Sequence, residues 1–395
     1  MTVEVRPLGV KCNIQCQYCY QNPQRDANNI THSYDIETMK EAISKEGGPF
    51  TLFGGEPLLV PHVVLEDLFA WGFKQFGSNG IQTNGALIDD EHIRMFKTYK
   101  VEVGISVDGP GRLNDVRWAG TRERTRTLTR QTHNAIRRLC ENAIPPGLIV
   151  TLHRGNAVGR NLKTLLRWTR KLEALGVSSV RLHLLEVEDP VIREHYALSN
   201  VENIEALLRF AKLQAQLHRL EFDVFRDMRQ MLLGDDKYTT CVWNACDPLT
   251  TRAVRGIEGQ GQRTNCGRTN KDGVDFVKAE QDGYERYIAL YNTPQKFGGC
   301  QGCRFFLMCK GQCPGSSIDS DWRNRTDQCD IWKTLYEWME AELLARGHIP
   351  LSLLEVRADI EQRFLELWEE GSNSSIAAVW AELKSDAVES AGVNS

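Results

Sequence analysis

Cys12, Cys16 and Cys19 stand in the run Gly9-Val10-Lys11-Cys12-Asn13-Ile14-Gln15-Cys16-Gln17-Tyr18-Cys19, a C-x3-C-x2-C spacing. Thiolates are the preferred protein ligands of a 4Fe–4S cube, which has four irons to fill. Three cysteines this close hold three irons and leave the fourth open to a small molecule. A structural zinc ion is the other use for such a group, but it asks for four protein ligands. No fourth cysteine or histidine lies close by in the sequence. The spacing points to an iron–sulfur cluster with one open coordination position.

A second motif follows an extended apolar stretch. After Phe50-Thr51-Leu52-Phe53 comes Gly54-Gly55-Glu56-Pro57, beginning 35 residues beyond Cys19. Glycines allow close backbone approach and a carboxylate pairs with an ammonium group. Taken alone, Gly-Gly-x-Pro is an ordinary turn. With the cysteine spacing, it makes the chain resemble the radical SAM superfamily. That resemblance implies that the open iron binds the amino and carboxylate groups of S-adenosylmethionine (SAM), and that the Gly54–Pro57 segment ends the second strand and holds the SAM amino group. It also implies that Ser106, in Ser106-Val107-Asp108-Gly109-Pro110, meets the SAM ribose, with Asp108 beside it. Tyr18 falls where relatives place an aromatic residue near the adenine. The residue types alone leave other roles open: a strand-end turn for 106–110 and simple packing for Tyr18. Arg117 and His153 are candidates for the barrel mouth or, equally, for solvated or core positions.

These loops need a scaffold to position them. Apolar, β-rich runs at 2–8, 50–54, 79–83, 101–107, 147–152 and 179–185 alternate with helical patterns near 36–46, 63–75, 90–98, 129–142 and 161–175. Such alternation predicts a parallel sheet covered by helices. The fold class is α/β, and the resemblance implies a partial (β/α)6 radical SAM barrel, then a small cysteine-rich SPASM domain and a C-terminal helical extension. The expected boundaries are 1–215 for the barrel, 216–240 for a helical bridge, 241–335 for the SPASM domain and 336–395 for the extension. Ligands of parallel barrels gather at the C-terminal ends of strands, where both motifs fall.

The second cysteine set begins with Cys246, Gly261 and Cys266, spaced C-x14-G-x4-C. Cys300, Cys303, Cys309 and Cys313 follow as C-x2-C-x5-C-x3-C, with Cys329 after 15 intervening residues and Cys241 upstream. The pattern resembles the SPASM extension of radical SAM enzymes that act on peptides and proteins. By that resemblance Cys241, Cys246, Cys266 and Cys313 hold one auxiliary 4Fe–4S cluster, and Cys300, Cys303, Cys309 and Cys329 hold another. Three clusters in all are implied, two of them fully ligated and suited to carrying electrons. C-x2-C pairs also build zinc ribbons, so a structural zinc scaffold is the non-enzymatic alternative. Cys140 lies in the apolar pattern Ile136, Leu139, Cys140, Ile144 and is expected in the core.

The composition is that of a globular protein. The chain has 395 residues, 41% of them hydrophobic, and a net charge of −4, which argues against a general nucleic-acid or membrane-surface binder. The N-terminus lacks the pattern of a signal peptide. Twelve cysteines without secretion signals indicate metal or redox chemistry in a reducing cytoplasm. Arg122, Arg124, Arg126 and Arg130 read as a solvated run or as a grip for an acidic peptide.

The superfamily's chemistry implies reductive cleavage of SAM to a 5′-deoxyadenosyl radical and abstraction of a hydrogen atom. The expected substrate is a ribosomally made precursor peptide. Its fate is backbone splicing, a C–C or thioether cross-link, or epimerisation. An electron donor such as flavodoxin or ferredoxin is expected. The cluster motif starts at residue 12, so leader recognition is expected from a small separate leader-binding protein or from the C-terminal tail. The opening sequence resembles maturases that work beside such partners, among them spliceases that excise a tyramine unit. Anaerobic sulfatase-maturating enzymes share the layout and provide the alternative, a side-chain or small-metabolite dehydrogenase. In them an aspartate follows the cysteine of the G-x4-C segment, whereas Gly267 stands here. In the tail, Leu353, Val356, Ile360, Phe364, Leu367 and Trp368 form one apolar helical face. It either packs onto the barrel or docks a partner through Trp368 and Trp380.

Overall fold

The computed structural model describes residues 3–26, 33–186, 189–239, 241–247, 249–251, 254–269, 279 and 281–392. They form two compact units, Met1–Val224 with Val254–Val277, and Phe225–Ala253 with Lys278–Ser395.

In the first unit the order is β1 (Val3–Arg6), α1 (Asn22–Asp26), α2 (Ile36–Glu46), β2 (Phe50–Leu52), α3 (His62–Phe76), β3 (Asn79–Thr83), α4 (Asp90–Thr98), β4 (Val101–Ser106) and α5 (Arg122–Glu141). It continues through β5 (Gly147–Leu152), α6 (Gly159–Leu175), β6 (Ser179–Leu184), α7 (Pro190–Tyr196), α8 (Asn200–Gln214) and β7 (Glu221–Phe222). α9 (Asp223–Leu232) then carries the chain onward. The six expected strands and five expected helices are all present. The sheet is larger than six strands, with the order β7-β6-β5-β4-β3-β2-β1-β8-β9. Here β8 (Arg255–Glu258) joins β1 in parallel, with Val5 opposite Ile257, and β9 (Arg263–Thr264) closes an antiparallel hairpin on it. Gly261 turns that hairpin at φ 79°, and a Cβ there would lie 2.7 Å from the Thr38 methyl. The hairpin thus places Cys266 two residues past β9, the strand next to β8.

Local chemistry sets the helix ends. Asp35 caps α2 by accepting from the Thr38 amide, and Gly47 ends it in the left-handed region at φ 68°. Ser199 and Glu202 form a capping box on α8. α5 starts at Arg122, seven residues before its apolar pattern. Its first buried positions are Thr125, Thr129 and Thr132, whose hydroxyls bond back to the preceding turn. Threonine satisfies its own polar group there, so the buried face is invisible to a hydrophobic count. Cys140 on this helix is half-buried.

The second unit adds α10 (Glu285–Asn292), α11 (Phe306–Cys309), α12 (Cys329–Ala345), α13 (Arg357–Glu369) and α14 (Ile376–Gly392). The tail stripe folds as a helix with its apolar side buried. Helix α13 begins at Arg357, so Leu353 precedes it and is exposed, and the buried face is Ile360, Phe364, Leu365 and Trp368. Trp368 is spent within its own unit, against Tyr284, Tyr287, Phe306 and Phe364. Trp380 rests over Gly234. Trp368 is buried, whereas Trp380 keeps part of its ring exposed. Among the described residues no helix is long and apolar enough to cross a membrane.

Candidate iron–sulfur and cofactor site

The three N-terminal cysteines sit on a loop that leaves β1 and is held from several sides. Gln15 and Gln17 donate backbone bonds to the carbonyls of Trp118 and Val116 at 2.7 and 2.9 Å. These bonds zip the cysteine loop to the segment after β4. Cations stand against two of the sulfurs. Arg25 donates to Cys19 Sγ at 3.1 Å, and Arg117 Nη1 lies 3.9 Å from Cys16 Sγ. Burial pushes the Cys12 thiol up to about 11 and the Cys16 thiol up to about 12. As free thiols both would be protonated at neutral pH. The flanking guanidiniums suit a set of sulfurs that carries negative charge only when iron is bound.

The Gly54–Pro57 turn is pressed onto this loop. Gly54 and Gly55 have φ of 77° and 51°. A Cβ on Gly55 would stand 2.0 Å from the Lys11 carbonyl oxygen. The close approach that demands glycine is therefore backbone against backbone. Glu56 N–H donates to that same carbonyl at 2.8 Å, and Gly55 N–H donates to Gln21 Oε1 at 3.1 Å. The Glu56 side chain is fully buried. Its Oε1 accepts from the Leu58 amide and from Thr83 Oγ1 at 2.6 Å, and its Oε2 accepts from the Asn84 amide at 2.9 Å. Burial raises its pKa, and the three hydrogen bonds pull against that rise. An ionised carboxylate has about four acceptor positions, and these bonds fill three of them. Asn84 Nδ2 reaches Asn13 Oδ1 at 2.7 Å, tying the end of β3 to the cysteine loop as well.

At the end of β4, Ser106 accepts from Gln82 Nε2 at 2.8 Å, and Gly104 leaves the space that Gln82 crosses. Asp108 is a buried hub. Its carboxylate accepts from the Tyr18 hydroxyl, from Arg117 and from the Thr151 amide, and His153 Nε2 lies 3.7 Å away. Burial pushes the Asp108 pKa up, but Arg117, His153 and Tyr18 together outweigh it and hold the carboxyl below its usual range. The Arg117 guanidinium also lies 5.8 Å from the centre of the Tyr18 ring. Arg117 and His153 thus belong with Tyr18 and Asp108 in one cluster behind Cys16. The arginine run is different: Arg126 pairs with Asp115, Arg124 reaches the Asn13 carbonyl, and Arg122 and Arg130 face solvent.

Several residues near the site were not singled out from the sequence. Arg25 lies six residues past Cys19, an i,i+6 separation with no helical or strand period to flag it. Arg6, fully buried, donates to Thr264 Oγ1 and the Asn265 carbonyl and pairs with Glu258. Arg268, two residues past Cys266, pairs with Glu186 at 2.9 Å and contacts His183 Nδ1. Burial, followed by Arg268, pushes the His183 pKa well below its usual value. Gly267 faces Tyr20 and Arg6. A Cβ there would lie 2.8 Å from the Tyr20 ring.

In the second unit, Cys300, Cys303, Cys309 and Cys329 are electrostatic neighbours. Burial and then this crowding push Cys300 up to about 12 and Cys309 well above its usual value. Buried Arg286 builds their surroundings, donating to the carbonyls of Lys310, Gln312, Trp322 and Asn324. Lys310 Nζ donates to the Trp243 and Leu307 carbonyls, linking the Cys241–Asn244 turn to α11. Cys246 is buried near Tyr287, and Cys313 precedes the turn Pro314–Ser316.

Residues 7–158 match the radical SAM superfamily, so this part of the chain is a radical SAM domain, from a superfamily of enzymes that bind a 4Fe–4S cluster and SAM. The serine-type anaerobic sulfatase-maturating enzyme of Bacteroides thetaiotaomicron is 34% identical over 128 residues, 29% of this chain and 30% of that enzyme. The chain thus spans less than a third of this curated relative. The structure of native anSMEcpe with bound AdoMet and Cp18Cys peptide superposes with a TM-score of 0.65 at 18% identity, covering 87% of this chain and 98% of that one. Streptococcus suis SuiB bound to the precursor peptide SuiA gives 0.53 at 14% identity, covering 83% and 76%. These likenesses establish the fold: a mixed α/β chain with a parallel sheet, a radical SAM domain and a cysteine-rich C-terminal region.

Proposed function

We propose that this protein is a radical SAM enzyme with two auxiliary clusters that modifies a ribosomally made peptide. The observation that carries the first half is the meeting of the Cys12–Cys19 loop with the Glu56 turn through Lys11. Cys12, Cys16 and Cys19 would hold the SAM-binding cluster. Gly54, Gly55, Glu56, Pro57, Ser106, Tyr18 and Asp108 would shape the SAM pocket, with Glu56 accepting from the amino group. Bound there, a reduced cluster and SAM would supply radical chemistry for removing a hydrogen atom from the substrate. The chain's own part is to orient SAM, to keep water from the reacting centre and to hold Arg25 and Arg117 against the sulfurs. In the region 241–335, Cys241, Cys246, Cys266 and Cys313 would bind one auxiliary cluster, and Cys300, Cys303, Cys309 and Cys329 the other.

Peptide modification is supported by the neighbours solved with peptides, anSMEcpe with Cp18Cys and SuiB with SuiA. Gly267 weighs against formylglycine formation, because Tyr20 occupies the space a side chain there would need. The sulfatase-maturating relatives favour a second reading, dehydrogenation of a protein side chain. Tyramine excision is the particular reaction that the opening sequence favours. A separate leader-binding protein and a flavodoxin or ferredoxin would complete the system.

The test is an anaerobic intact-mass comparison of the small peptide encoded beside this gene, expressed with and without this protein. Loss of a tyramine unit identifies splicing, and loss of two hydrogens identifies a cross-link or dehydrogenation. An unchanged mass with no deuterium uptake from solvent rules out peptide modification.

A further inference from the structure

His62, Asp89 and His92 meet where the starts of α3 and α4 come together in the first unit. His62 is the first residue of α3, Asp89 is the N-cap of α4 and His92 is in its first turn. His62 Nε2 lies 3.3 Å from His92 Nδ1 and 3.2 Å from Asp89 Oδ2, and His92 Nδ1 lies 2.8 Å from Asp89 Oδ1. The ring centroids are 4.3 Å apart. Among the described residues this is the one group of three such side chains whose ligand atoms all lie within 4.8 Å.

Two imidazole nitrogens at hydrogen-bond distance from each other and from one carboxylate crowd their lone pairs into a small space. In a tetrahedral zinc site with bonds of about 2.0–2.1 Å, neighbouring ligand atoms stand roughly 3.3 Å apart. The two edges at His62 have this length already. His92 Nδ1 also lies 3.4 Å from the Asp89 amide as part of the capping box, a bond that an ion at Nδ1 would replace. The side chains of His62 and Asp89 are 44% and 51% exposed, so an ion has access from solvent and a fourth position remains for water. Asp89 can keep its capping bond to the His92 amide through Oδ1.

We propose that His62, Asp89 and His92 form a site for a divalent transition ion of zinc type. The ion would clasp the start of α3 to the start of α4. These helices follow the Glu56 turn and the Asn84 turn, which Glu56 already joins. The clasp would brace the same two loops.

The test uses the anaerobically reconstituted holoenzyme, so that the cysteines are occupied by iron. It is equilibrated with zinc, desalted and analysed for zinc and iron. One zinc per chain is expected in the wild type and almost none in His62→Ala or Asp89→Asn, with iron unchanged in all three. Asparagine preserves the helix cap, and His62 is exposed, so neither variant threatens the fold. Cobalt(II) in place of zinc should give visible d–d bands without thiolate charge-transfer absorption. No retained zinc in the wild type, or equal retention in both variants, overturns the proposal. Because iron is measured in the same samples, failure of this site is distinguishable from failure of the cluster assignment.

Discussion

The Asp108 carboxylate and the Arg117 guanidinium form a buried ion pair, Nε to Oδ2 at 3.1 Å, directly behind Cys16. Asp108 is fully buried and its other partners, Tyr18 and Thr151, belong to the cysteine loop and to β5. Removing one member of such a pair leaves an uncompensated buried charge, which costs about 3–5 kcal/mol. Arg117→Gln should lower the urea unfolding free energy by that amount. Combining it with Asp108→Asn should recover part of the loss. A single variant as stable as the wild type would show that the pair does not hold the loop.

Glu56 should act on SAM and not on iron. A charged hydrogen bond contributes about 1.5–3 kcal/mol, so Glu56→Gln should weaken SAM binding by ~10- to 100-fold. Calorimetric titration of the iron-loaded protein measures this. Iron per chain should stay unchanged, because none of the three sulfurs is altered.

Gly55 and Gly47 make a matched contrast. Both have positive φ, but a Cβ at Gly47 meets open space while one at Gly55 meets the Lys11 carbonyl at 2.0 Å. Gly47→Ala should cost about 1–2 kcal/mol from backbone strain alone. Gly55→Ala should in addition displace the Cys12 loop and lower the iron content. Equal effects of the two substitutions would remove the argument from close approach.

Cluster loading should depend steeply on pH. Burial raises Cys12 to about 11 and Cys16 to about 12 from the usual 9.0, so both are protonated at neutral pH and must lose a proton to bind iron. Metal affinity therefore rises with pH, ~10-fold per unit for each thiol and ~100-fold for the two together. For the metal-free fold the sign is opposite. Raised thiol pKa values stabilise it below pH 9, and that stability is lost as pH climbs toward 11–12. Iron titrations at pH 7 and pH 8 check the first statement, and alkaline denaturation checks the second.

Much of this was legible in the sequence because the signals were local. The six strands and the two rim motifs announce themselves through apolar runs, glycines and cysteine spacing. What the sequence hid depends on distant partners. Arg6 meets Thr264 across 258 positions, and Arg117 meets Cys16 across 101. Strands β8 and β9, reading Arg-Gly-Ile-Glu and Arg-Thr, carry no apolar run to announce them. The start of α5 was hidden by its buried threonines. The tail stripe was legible as a helix, but the pattern could not say that Tyr284, Tyr287 and Phe306 already cover Trp368.

The auxiliary cysteines should separate two steps. If Cys300, Cys303, Cys309 and Cys329 hold a relay cluster, Cys309→Ser should leave SAM cleavage intact and reduce modified peptide. Undiminished product from that variant would contradict the relay role.

The most direct measurement is the yield of 5′-deoxyadenosine and methionine from SAM, using anaerobically reconstituted and reduced protein, with Cys16→Ala beside the wild type. The account expects both products from the wild type and neither from the variant. No cleavage by an iron-loaded wild type, or equal cleavage by Cys16→Ala, would contradict it.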